Sequence, residues 1–152
     1  MDSDRSSINA GTSVVFDSMV IAYALLGVAE FRDEAMRAIE SAQEIWVPDS
    51  CRAELVNIVW QWVQFRDVAL DTGIEVLWDA ETLFTQVVSA SALWDQALEL
   101  AVERKHPAYD TLFVALAAIQ ESQVVTYDSD MIKKFPEYGI SVFDFLDRFS
   151  AS

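Results

Sequence analysis

Residues 106–117 read HPAYDTLFVALA. From Leu112 to Ile119 every residue is apolar, which predicts a helix buried on all sides. The helix nevertheless opens with a carboxylate, Asp110. Helix chemistry alone could account for it. A first turn presents free N–H groups and the positive end of the helix dipole, and Pro107 suits a helix start. The other explanation is that Asp110 points into a site shared with distant parts of the chain, and those parts must then supply its partners.

Downstream of this helix, QVVTY (123–127) predicts a strand, followed by a DSD turn and a short helix. ISVF (140–143) predicts a last strand with a helical tail. Upstream, Ser91 can cap a helix running to about Lys105, Gln86–Val88 suggests a short strand, and residues 67–83 read as helix. Before them, Asp49 or Ser50 can cap a long helix to about Arg66. EIWVP (44–48) is a strand stopped by Pro48, residues 33–42 form an amphipathic helix, and Ser18 to Leu26 form a helix that is apolar nearly all round, with Gly27 near its end. SVVF (13–16) is a short buried strand ending at Asp17. Strands thus alternate with helices. That alternation predicts an α/β fold, a three-layer α/β/α sandwich around a short, mostly parallel sheet of four or five strands.

The chain has 152 residues, 53% of them hydrophobic, enough for one ordinary domain with a real core. Residues 1–12 are polar and read as a flexible tail, and residues 13–152 read as a single domain. No apolar run is long enough to span a bilayer, and the start lacks the features of a signal peptide. The single cysteine, Cys51, permits no internal disulfide and reads as a small, partly buried side chain, consistent with a cytoplasmic protein. Net charge is −15, from 25 acids and 10 bases. Nucleic-acid binding normally draws on a basic surface, and no basic run exceeds Lys133-Lys134. The acidity could serve solubility, a salty cytoplasm or a cation site.

In open parallel sheets ligands sit outside the carboxyl ends of the strands. Asp17 and Asp128 each close a strand, while Glu54 and Asp110 lie in the first turns of helices that follow strands. Four carboxylates are therefore expected at one crevice. Bare clustered carboxylates repel, and a hard cation relieves the repulsion. Oxygen-only ligation suits Mg²⁺ or Mn²⁺, as one or two ions. Each acid also has an ordinary explanation: a helix cap for Asp17, a turn for Asp128, the helix dipole for Glu54. Their joint placement at one sheet edge favours the site. Glu54, Asn57, Gln61 and Gln64 form a polar stripe on an otherwise apolar helix, one that could face solvent or line a groove.

Other chemistries find less support. The lone histidine, His106, reads as a solvated loop residue, so no Ser–His or Cys–His pair is built around it. No glycine-rich phosphate loop occurs. A phosphoacceptor aspartate, with Lys133 or Lys134 as phosphate partner, would need a lone Asp closing the central strand, and none is apparent. The tryptophans and phenylalanines read as core or interface, with Trp60 and Trp62 suited to a subunit contact.

VVFDS (14–18), PDSCRAELVNIVW (48–60), PAYDTLFVALA (107–117) and VVTYDSDMI (124–132) together resemble the four blocks of the PIN domain family, and within it the VapC-like ribonuclease toxins of toxin–antitoxin pairs. The resemblance runs from about residue 13 onward, although residues 67–90 do not match clearly. It implies that Asp17, Glu54, Asp110 and Asp128 bind Mg²⁺ or Mn²⁺ and cleave RNA endonucleolytically. Thr126 would contact the site, with Ser18 and Asn57 supporting it from behind. It further implies a homodimer and a small antitoxin protein partner. The competing expectation is a catalytically inactive PIN-like module that binds a protein or a cation.

Overall fold

A computed structural model describes residues 13–149, so the expected tail at residues 1–12 lies outside the described residues. Five strands form one sheet: Ser13–Phe16 (β1), Glu44–Pro48 (β2), Gln86–Val88 (β3), Val124–Thr126 (β4) and Gly139–Ser141 (β5). Their order is β3-β2-β1-β4-β5 and every neighbouring pair is parallel. The chain starts at the centre, adds two strands on one side, then crosses over to add two on the other. Val15, Phe16, Val124 and Val125 are fully buried, as strands covered on both faces should be.

The crossovers β1→β2 and β2→β3 carry four helices: Ser18–Leu26 (α1), Arg32–Ser41 (α2), Ser50–Phe65 (α3) and Leu70–Leu83 (α4). The crossover to β4 carries Trp94–Arg104 (α5) and Ala108–Ile119 (α6). Ser129–Lys134 (α7) links β4 to β5, and Val142–Phe149 (α8) follows β5. Helices α1 to α4 pack against one another, with α8 against α2, while α5 packs on α6 and α6 lies across β1, β2 and β4. Right-handed crossovers put these two groups on opposite faces. The result is the expected α/β/α sandwich, with a sheet of five parallel strands.

The opening stretch follows its composition along its middle. Thr111, Phe113, Val114, Ala115, Leu116 and Ala117 of α6 are buried, Leu112 and Ala118 are partly buried, and both ends emerge, with Tyr109 exposed and Ile119 half exposed. The hydroxyl of Thr111 is satisfied by the carbonyls of Ala97 at 2.7 Å and Ala108 at 3.1 Å.

Several boundaries differ from the sequence reading, each for a local reason. The helix expected over 67–83 starts at Leu70, because Asp67 adopts a left-handed conformation with φ 60°. Ser91 does not cap α5. Ser89 instead accepts the Ser91 N–H and starts a 3₁₀ turn over Ala90–Ala92. The strand expected at 140–143 stops at Ser141, whose Oγ accepts the Asp144 N–H at 3.0 Å and opens α8. Asp49 precedes α3 without a side-chain capping bond, since its carboxylate pairs with Arg52. Cys51 is fully rather than partly buried.

Gly73 sets the spacing between α3 and α4. A Cβ there would lie 2.8 Å from Val59 Cγ1 and 3.0 Å from Val63 Cγ2. Gly73→Ala should gain about 1 kcal/mol of helix propensity. It should lose about 1–3 kcal/mol to overpacking against β-branched side chains that cannot swing aside. We expect a lower urea midpoint with an unchanged slope. A raised midpoint would show that the two helices are not in close contact at this point.

Candidate active site

Strand order decides where the acids meet. β1 and β4 are neighbours, yet their onward connections run to opposite sides of the sheet. A crevice therefore opens beyond their carboxyl ends. Asp17 directly follows β1, and Asp128 lies two residues beyond β4. Glu54 on α3 and Asp110 on α6 reach the same place. Asp17, Glu54, Asp110 and Asp128, with Ser18 and Asn57, line one cavity of about 790 Å³. Gln61 continues that lining, whereas Gln64, the end of the expected stripe, is exposed outside it. Thr126 is fully buried at the end of β4.

Each carboxylate is held by a donor from the protein. Thr126 Oγ1 donates to Asp17 Oδ2 at 2.7 Å and itself accepts the Asp128 N–H at 2.9 Å, so one hydroxyl links both strand ends. Ser18 Oγ donates to Glu54 Oε1 at 2.6 Å and also lies 3.3 Å from Cys51 Sγ. Asp128 Oδ1 accepts the backbone N–H groups of Asp130 at 2.9 Å and Met131 at 3.4 Å, capping α7. Asp128 is thus a helix cap as well as a cavity residue. Asp110 Oδ2 lies 2.8 Å from His106 Nε2. Among the described residues, Glu54, Asp110 and Asp128 each keep one carboxylate oxygen without a protein hydrogen-bond donor.

Burial and mutual repulsion show in the acidities. Burial raises Asp17 to about 6 despite the Thr126 hydrogen bond, with the charges of Asp110 and Asp128 adding to the rise. Burial likewise raises Glu54 to about 7, opposed by the Ser18 bond and reinforced by Asp17 and Asp110. Oxygen donors under such repulsion fit a hard divalent cation, which would replace the missing positive charge. The thiol of Cys51 is pushed up to about 12 by burial, so it stays neutral and is no nucleophile.

His106 is the residue the sequence reading misplaced. It sits in the α5–α6 connection as expected, but it is only 7% exposed and turned inward. A ring nitrogen of His106 and one carboxylate oxygen each of Asp110 and Asp128 lie within 4.8 Å of one another. The available signal was its spacing of four from Asp110 across a helix start. The phosphoacceptor reading also changes. β1 is the central strand and Asp17 does close it, but Asp17 shares its cavity with three other carboxylates. Lys134 is turned away to the Lys105 carbonyl.

Residues 14–137 match the PIN domain family model, and the chain belongs to that family. It is 29% identical over 126 residues to the ribonuclease VapC3 of Pyrobaculum aerophilum, covering 81% of this chain and 95% of that protein. Its fold is similar to the crystal structure of PAE2754 from the same organism, with TM-score 0.69, 22% identity and coverage of 93% and 92% of the two chains. It is also similar to a toxin–antitoxin complex from Klebsiella pneumoniae, at TM-score 0.60 and 16% identity. A third similar structure is VapBC2 from Rickettsia felis, bound to a DNA fragment from its promoter, at TM-score 0.60 and 11% identity. Each of the latter two covers 86% of this chain and 98% of its own.

The raised pKa values set a pH dependence. Asp17 moves from 3.8 to about 6 and Glu54 from 4.5 to about 7 on folding, so the folded state binds protons that the unfolded chain has released. Their stabilising contribution is complete below the unfolded values, near pH 4, and is lost as pH rises through 6 and 7. In EDTA, thermal melts should fall between about pH 5 and about pH 8, by on the order of 3 kcal/mol. Asp17→Asn with Glu54→Gln should flatten that fall. An equal fall in parent and variant would assign the effect to overall net charge instead.

Proposed function

We propose that this protein is a Mg²⁺- or Mn²⁺-dependent endoribonuclease and the toxin of a toxin–antitoxin pair. The observation that carries the reading is one cavity at the sheet's switch point lined by Asp17, Glu54, Asp110 and Asp128, two of them with raised pKa. Membership of the PIN domain family and the likeness to a ribonuclease over most of both chains support it.

The four carboxylates would hold one or two ions. A bound cation would supply Lewis-acid chemistry, polarising the scissile phosphate and lowering the pKa of water. The chain's own groups would do the positioning. Thr126 fixes Asp17, Ser18 fixes Glu54, and the first N–H groups of α7 fix Asp128. Asn57 and Gln61, exposed along the cavity wall, can hydrogen-bond to substrate. A carboxylate left free of metal can accept the proton of the attacking water.

Net charge of −15 weakens nonspecific attraction for a phosphate chain, so recognition would rest on RNA shape and exposed bases. The same acidity suits an antitoxin segment bearing arginine, inserted into the crevice. A homodimer could widen the groove, and Trp60, half exposed, is available for such a contact. Among the described residues no helix is long and apolar enough to cross a membrane. The acidic surface also favours a second reading, an inactive PIN-like module that acts only through protein partners.

Turnover separates the two. Purified protein freed of any copurified partner should cleave a mixed RNA pool with Mn²⁺ or Mg²⁺ and not with EDTA. Asp110→Asn should lower that rate by more than about 100-fold, since losing a ligand should exceed the loss of a ligand's supporting partner. Metal-independent cleavage, or cleavage untouched by the substitution, would refute the assignment. No cleavage in any metal would favour the binding module.

A further inference from the structure

We propose that His106 is a positioning residue for Asp110: its Nε2–H, 2.8 Å from Asp110 Oδ2, orients that carboxylate so that Oδ1 is the oxygen left for a cation. This deepens the metal-centre reading above and rests on it. The competing orientation is plain from the fold. Asp110 is the third residue of α6, where a carboxylate ordinarily turns back to the free N–H groups of the helix start. Here the start of α6 has no side-chain capping bond, and the carboxylate is drawn to the histidine instead.

The ring is built to hold that geometry. Its side chain is 4% exposed. It meets the Phe135 ring edge-on, with centroids 5.5 Å apart at 88°. The Arg104 guanidinium lies 5.0 Å from the centre of the same Phe135 ring, and is itself tied to the Lys134 carbonyl at 2.9 Å and to Glu137 at 2.8 Å. On the backbone, the His106 N–H donates to the Ala101 carbonyl at the end of α5. His106 is thus held through its main chain and by the Phe135 ring.

The position of the proton follows from the partners. Nδ1 is buried and has no hydrogen-bond partner among the described residues. A bare lone pair is tolerated there, whereas a buried N–H would be orphaned. Nε2 faces a carboxylate, which can only accept. The neutral imidazole with its proton on Nε2 satisfies both conditions. Partners that orient metal ligands commonly account for about 10–100-fold in metal affinity.

The experiment is calorimetric titration of Mn²⁺ into metal-free protein, comparing the parent with His106→Gln and His106→Asn. The glutamine amide nitrogen can reach the place of Nε2, while the asparagine amide reaches only that of Nδ1. We expect His106→Asn to weaken Mn²⁺ binding by about 10–100-fold and His106→Gln to retain it within about threefold, with RNA cleavage in the same order. In an Asp110→Asn background, His106→Asn should change little further, because the pair acts as a unit. Thermal melts establish that each variant is folded, and His106→Leu replaces the Asn variant should that one not fold. Parental affinity in folded His106→Asn overturns the proposal. So does a glutamine variant as weak as the asparagine one, which would make the ring itself a ligand. A parent that binds no Mn²⁺ overturns both this proposal and the metal centre. A parent that binds Mn²⁺ and cleaves no RNA removes only the nuclease.

Discussion

Four carboxylates sharing one crevice repel one another, and the rest of the fold holds them together against that repulsion. The holding groups are few. The Thr126 hydroxyl ties Asp17 and the backbone of Asp128 across two strand ends. Ser18 reaches from the start of α1 to Glu54, and the first N–H groups of α7 take Asp128. The donors sit on elements whose ends are fixed by the parallel sheet. Burial then leaves its mark as raised pKa values at Asp17 and Glu54.

That arrangement trades stability for readiness. Near neutral pH the crevice carries charge that the folded chain would rather neutralise, and either protons or a cation can do so. The cost is carried by a core that contains no such conflict. Phe16, Phe113, Phe135 and Phe145 are fully buried, and α6 fills the space against the sheet with apolar side chains along its middle. Thr111, buried within that core, is fully hydrogen-bonded. The strain of the site is confined to one edge of the sheet.

The outer charge bears on a different step. Arg52 links Asp49 and Glu81, and Arg104 links Glu137 with the Lys134 carbonyl. Two of the scarce bases thus serve structure at α3–α4 and α5–α7 and are not free to gather phosphates. For the proposed nuclease, that arrangement would place recognition in the crevice and in base contacts rather than in long-range attraction.

Much of this was legible from residue order. Alternating apolar strands and helices determined a covered parallel sheet, because a strand buried on both faces and a helix apolar all round can be satisfied together only in layers. Placing Asp17 and Asp128 after strands and Glu54 and Asp110 near helix starts sent all four to one edge, since parallel strands all end there. Local pattern failed where a side chain chose between local and distant partners. Ser89 rather than Ser91 opens the 3₁₀ turn, Ser141 ends the last strand early, and Cys51 is fully enclosed. The order of the strands, with β1 between β2 and β4, came only from tertiary packing, because no neighbouring residues encode which side a crossover takes. So did the burial of His106. Its local sequence is that of a solvated loop, and only the docking of Phe135 against it, from a helix end some thirty residues on, excludes water and turns its ring toward Asp110.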